Sequence, residues 1–141
     1  MQKINFYFHD RKYAIKDIRG LKKALEHIFK NEKAKLQNLN YVFCSDDFLL
    51  DINKKFLKHD YFTDIITFDL SEYRNQVEGE IYISIERVID NAKALKIPIR
   101  TELCRVVFHG ALHLCGYSDK TKEEIEIMRN KEEEYLTYYL K

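Results

Sequence analysis

Two histidines, His109 and His113, stand four residues apart in a stretch that reads as helix from Glu102 to Leu114. At that spacing both imidazoles project from one helical face. Gly116 follows, the residue type best able to take the left-handed conformation that ends a helix. The chain can then turn back and bring Asp119 toward the two rings. Two imidazole nitrogens and one carboxylate oxygen make a three-ligand set for a divalent metal, with a fourth position left for water as in catalytic zinc sites. The helix end favours this, because its partial negative charge faces a cation. Taken singly, each histidine reads as structural or exposed, and Asp119 as a solvated turn residue or a cap for the next helix. The combined spacing is what argues for a metal.

The full pattern H-x-x-x-H-x-x-G-x-x-D has metzincin spacing, with aspartate in place of the last histidine. It lacks the glutamate that follows the first histidine in zincin proteases and acts there as general base. Gly110 stands in that position. A divalent ion would still polarise a carbonyl or phosphoryl oxygen, so hydrolysis survives as a reaction type and peptide hydrolysis loses ground. Glu80 and Asp64 are the replacement bases on offer, and the sequence does not choose between them. Cys115, two residues after His113, points to another side of a continuing helix. It reads, like Cys44 and Cys104, as a buried structural thiol. The acid-rich run from Glu123 to Glu134 reads as an exposed helix face that would repel a polyanion.

These residues need elements to position them. Ile4, Phe6 and Phe8 alternate with Asn5, Tyr7 and His9, which predicts a strand over Lys3 to His9. Ile18, Leu21, Leu25 and Ile28 recur at helical steps and predict a helix from Lys16 to Ala34. Asn38-Leu39-Asn40 predicts a turn, and Leu39 to Cys44 a second strand. Ser45 is a good N-cap for a helix from Asp46 to about Lys58, with Asp46 and Asp47 suited to its dipole. Asp64 to Asp69 predicts a third strand, Ser71 to Glu78 a polar loop and Gly79 to Ser84 a fourth strand. Ser84 caps a helix from Ile85 to about Leu95, Pro98 precedes the histidine helix, and Thr121 to Tyr139 reads as a long amphipathic helix. The expectation is an α+β fold: a mixed sheet of about four strands packed with about five helices, with the metal site on a helix and the turn after it. Periodicity does not fix the strand order.

Composition bounds the function. A chain of 141 residues predicts a single domain over 1–141 with a substantial core. With 45% hydrophobic and 33% charged residues it reads as soluble and globular. The net charge of +1 excludes a global argument for a polyanionic partner, so any basic surface must be local. Three cysteines with no C-x-x-C pair suit a reduced, cytoplasmic protein. The N-terminal Met1-Gln2-Lys3-Ile4-Asn5 lacks the apolar run of a signal peptide. The absence of a stretch of about 18 apolar residues argues against a transmembrane helix, and no membrane partner is expected.

The run from His109 to Asp119, HGALHLCGYSD, with Lys120 to Glu124, Met128 and Glu132 to Glu134 after it, resembles the C-terminal signature of the YbeY family. Phe62 to Phe68 is similar to that family's T-D-V-L-S-F segment, and Gly79 to Ser84 to its G-D-I-x-I-S strand, so the likeness runs from about Ile52 to Leu136. The resemblance implies a zinc-dependent endoribonuclease that cuts single-stranded RNA in ribosomal RNA maturation of the small subunit, works in ribosome biogenesis and needs no small organic cofactor. It also implies that His109 and His113 are the first two zinc ligands. Asp119 stands where the family usually has a third histidine, and Ser118 where it has aspartate. Aspartate is an ordinary zinc ligand, though a harder shell shifts preference toward other divalent ions. Leu57 stands where the family has an arginine thought to help hold RNA. Lys54, Lys55, Lys58 and His59 would then supply positive charge there, as points rather than forks. Two alternatives stay open: a metal-dependent hydrolase of another substrate such as a peptide, and a non-catalytic ribosome-associated factor.

Overall fold

The computed structural model describes residues 3–73 and 76–140. Met1 and Gln2, within the stretch read as free of a signal segment, and Arg74 and Asn75, within the predicted 71–78 loop, lie outside the described residues. The elements are β1 (Ile4–Phe8), α1 (Ile18–Asn31), β2 (Lys35–Cys44), α2 (Asp46–Leu57), β3 (Ile65–Asp69), β4 (Gln76–Ser84), α3 (Ile85–Leu95), α4 (Ile99–Leu114) and α5 (Lys122–Leu140). The α+β expectation holds, and the sheet is mixed. Its order is β1-β2-β4-β3, with β1, β2 and β4 parallel and β3 antiparallel to β4.

Alternation along the strands sorts the helices between the two faces. On β4, Val77, Ile81 and Ile83 join the main core with residues of α1, α3, α4 and α5. Tyr82 points the other way, toward a smaller cluster in which Leu49 and Ile52 of α2 meet Cys44 and Ile66. So α2 covers one face and the other four helices cover the opposite one. Both faces are thus sheltered, as a sheet with parallel strands requires. Among the described residues, no helix is long and apolar enough to cross a membrane.

Several boundaries differ from the sequence expectation. The turn expected at Asn38-Leu39-Asn40 lies inside β2, which begins at Lys35. Two asparagines mimic a turn, but Leu39 is fully buried and its N–H donates to the Lys3 carbonyl at 2.7 Å. The pairing with β4 slips between Leu36 and Asn38, which leaves Gln37 as an extra residue. That bulge lets Leu36 and Leu39 both reach the core despite their odd spacing. β4 starts at Gln76, because Lys35 and Leu36 pair with Gln76 and Val77. α1 is shorter than expected at both ends: Asp17 caps it by accepting from the Gly20 N–H, and Lys33 already has φ 58. α4 starts at Ile99, since the Pro98 carbonyl accepts from Thr101 and Glu102. The caps expected at Ser45 and Ser84 are in place, accepting from Phe48 and Arg87.

α4 is the element that positions the chemistry. Beyond its first turn it is buried all round except along one line, Thr101, Arg105, His109 and His113, spaced every four residues. Its close seat on the sheet depends on glycine. A Cβ on Gly110 would meet Ile81 Cδ1 at 2.8 Å and Ile65 Cδ1 at 3.0 Å.

Candidate metal centre and its cleft

α4 ends in a turn built to return the chain toward its own histidines. Gly116 takes φ 106, its N–H donates to the His113 carbonyl at 3.0 Å, and the Tyr117 N–H donates to Leu112 at 3.1 Å. This is the Schellman arrangement, which needs a residue free to adopt positive φ. Asp119 then faces the exposed line of α4. His109 Nε2 and His113 Nε2 are 2.9 Å apart, and Asp119 Oδ2 lies 3.2 Å from the first and 3.3 Å from the second. The three residues form a group that can hold a metal ion. Ligand atoms around a tetrahedral zinc with bonds near 2.0 Å stand roughly 3.3 Å apart, so the spacing fits.

The partners of the other ring nitrogens sharpen this. His109 Nδ1 is 2.6 Å from Glu132 Oε2, and His113 Nδ1 is 2.9 Å from the Tyr117 carbonyl. A carboxylate and a carbonyl only accept, so both Nδ1 atoms carry the proton. Both Nε2 atoms are then lone pairs, facing each other and a carboxylate oxygen. Three acceptors in contact, with no hydrogen among them, are stable only around a cation or an added proton. Accordingly, His109 is held above its ordinary pKa: burial works against the charged ring, but the hydrogen bond and charge of Glu132, with Asp119 and Asp64, outweigh it.

Glu132 corrects the reading of the acidic run. Glu132 is 3% exposed, while Glu123, Glu126, Glu133 and Glu134 are exposed as expected. A signal for this was present: Glu132 falls on the apolar stripe of α5, between Met128 and Leu136. Its other oxygen faces Arg105, which sequence reasoning also missed. The guanidinium sits among Glu102 at 3.4 Å, Glu132 at 3.4 Å and Glu133 at 3.1 Å. Burial pushes Glu102 above the ordinary carboxylate range despite Arg105.

A cleft of about 900 Å³ opens over this line of α4, bounded by β3, α5 and the C-terminal end of α2. Asp64 lines it and Glu80 does not. Glu80 instead accepts from the Tyr82 hydroxyl at 2.6 Å. Burial raises the Asp64 pKa, partly offset by His109. Leu57 lines the cleft, with Arg105, Arg129 and Lys120 across from it. Lys54 pairs with Asp60 at 3.5 Å, and Lys55 and Lys58 are exposed. The thiol of Cys115 is pushed up to about 12 by burial, which suits a structural role.

The free edge of β3 runs along the cleft. The Asp64 carbonyl and the Leu70 N–H both bond across to β4. Backbone groups alternate along a strand, so those of Ile65, Thr67 and Asp69 point away from β4.

The family model described as "Endoribonuclease YbeY" matches residues 5–140. The chain is 48% identical over 134 residues to the endoribonuclease YbeY of Cytophaga hutchinsonii, covering 95% of this chain and 94% of the relative. It is 44% identical over 138 residues to the protein of the same name from Amoebophilus asiaticus, covering 96% and 94%. A Thermotoga maritima protein known from a solution structure superposes with a TM-score of 0.68 at 32% identity, over 96% of this chain and 91% of that one.

Proposed function

The chain belongs to the YbeY family of endoribonucleases, and on that premise we propose that it is a zinc-dependent, single-strand-specific endoribonuclease. We place its work in ribosomal RNA maturation of the small subunit, on ribosomes in the cytoplasm, by a single metal-dependent hydrolase domain spanning 1–141. The observation that carries the metal part is the set of three acceptor atoms, His109 Nε2, His113 Nε2 and Asp119 Oδ2, within 2.9–3.3 Å of one another.

His109, His113 and Asp119 would hold the ion. A divalent ion at such a site supplies Lewis acidity toward a phosphoryl oxygen and toward water. The rest is done by the protein's own groups. Glu132 and the Tyr117 carbonyl hold the two rings in one tautomer and one orientation. Arg105 and Arg129 line the cleft where phosphates would lie, and the lysines from Lys54 to Lys58 flank its mouth. They would position the RNA backbone without reading sequence. Of the two carboxylates open as proton acceptor, Asp64 is the one in the cleft.

The test is cleavage of an unstructured RNA and of a peptide panel by wild type and His109→Ala, with and without chelator, alongside metal content. The expected outcome is RNA cleavage that chelator abolishes, and loss of both metal and activity in His109→Ala. Cleavage of peptides instead would favour the second reading, to which the free edge of β3 lends support, since an extended peptide can add to an unpaired strand. A wild type that binds no metal and cuts nothing, yet co-sediments with ribosomal subunits, would leave only a non-catalytic factor.

A further inference from the structure

The mouth of the cleft carries a pair of rings that the metal centre does not use. We infer that the stacked side chains of His59 and Tyr61 form a base-stacking subsite for an unpaired nucleotide of an RNA strand lying in the cleft, an inference that rests on the endoribonuclease reading. The ring centroids are 5.1 Å apart with planes inclined by 19°, and the Tyr61 hydroxyl lies 2.9 Å from His59 Nδ1. Both residues line the same cleft as His109 and His113. Tyr61 is 56% exposed, so core packing does not account for its place.

The pair is held from beneath. Asn53 is 1% exposed, its carbonyl accepts from the His59 N–H at 3.1 Å, and its side-chain amide donates to the Tyr61 carbonyl at 2.9 Å. One buried residue thus fixes the backbone on both sides of Asp60, through its main-chain carbonyl before it and its side-chain amide after it. Exposed rings on a fixed backbone are a preorganised platform, and ordering them on binding costs little.

Chemistry favours an unpaired base as the occupant. Every nucleobase offers a π-face, and stacking on aromatic rings is how single strands are held without sequence preference. Recognition of unpaired RNA also uses hydrogen bonds to exposed base edges, and Thr67, whose backbone groups point away from β4, lines the same cleft. Lys55 and Lys58 lie exposed at the end of α2 next to the rings and would attract phosphates, while Lys54 is paired with Asp60.

The test uses metal-loaded wild type, Tyr61→Ala and Tyr61→Phe. Binding and cleavage are measured on a fluorescein-labelled single-stranded RNA, and on the same RNA with one abasic nucleotide placed in turn at each position around the cut. Tyr61→Ala is expected to weaken binding roughly tenfold, while Tyr61→Phe, which keeps the ring, retains most of the affinity. One abasic position should cost wild type a similar factor and cost Tyr61→Ala nothing more. Unchanged binding by Tyr61→Ala, or equal abasic penalties in both proteins, overturns the subsite and leaves RNA cleavage standing. A wild type that neither binds nor cuts RNA, or that cuts an unstructured peptide in its place, overturns the endoribonuclease reading and this inference together.

Discussion

Glu132 is the residue on which the most depends for its size. One oxygen orients His109 and the other faces Arg105, so a single carboxylate serves an imidazole N–H and a guanidinium from a position 3% exposed. Glu132→Gln keeps the shape and removes the charge. The amide can still accept from Nδ1 through its oxygen, but the ring loses basicity and Arg105 loses an ionic partner. Metal affinity should fall about 10–100-fold, read by competition against a chelator of known affinity. An unchanged affinity would reduce Glu132 to packing. At this scale the sequence was partly legible. That His109, His113 and Asp119 come together could be read from spacing because all three lie within one local unit. Glu132 and Arg105 act across a helix pair, and a run of acids camouflaged the first of them.

At the scale of the element, α4 explains the absence of the zincin glutamate. Position 110 faces the sheet, where a Cβ would already meet Ile81 Cγ2 at 3.1 Å. Gly110 is therefore a condition of close packing rather than a lost base. Gly110→Glu, which restores the protease-like motif on paper, should force a charge into the core at a penalty of several kcal/mol. Set against a total stability of about 5–15 kcal/mol, that predicts loss of the folded state, seen as insoluble protein or a collapsed thermal transition. A folded, peptide-cleaving Gly110→Glu would sink the argument. Element identities were legible from periodicity and caps, as Ser45 and Ser84 illustrate. Boundaries failed where tertiary contacts overrode local signals. β2 runs through Asn38 and Asn40 because a bulge keeps Leu36 and Leu39 inside. The first turn of α4, Ile99 to Thr101, is half-buried and gave no apolar repeat; its start is set by the Pro98 carbonyl instead.

At the scale of the whole molecule, what the sequence withheld was contact between distant segments, and Glu32 is the clearest case. It ends α1, yet accepts from Tyr117 at 2.7 Å in the turn after α4, from Tyr135 of α5, and pairs with Lys131 at 3.4 Å. Tyr117 is the residue whose carbonyl orients His113, so this network reaches the His109–His113–Asp119 cluster from the far side of the fold. Burial alone would raise the Glu32 pKa, but the hydroxyls of Tyr135 and Tyr117 and the charge of Lys131 outweigh it and hold it below its ordinary value. The sign follows by linkage. As pH falls, the unfolded chain takes up this proton first, so the stabilisation is fully present above the unfolded value and is lost as pH drops through the folded one. Asp46, lowered by Arg87 and Ser84 against its own burial, adds to the same acid limb. Glu32→Gln should therefore cost about 1.5–3 kcal/mol at pH 7, the scale of hydrogen bonds to a charged group, and close on wild type as pH falls through the ordinary glutamate range and below it. Urea unfolding of metal-free protein across that window measures both quantities. Two curves that stay parallel down to the acid end would mean that the network holds the helices by shape alone, with no contribution from the Glu32 charge.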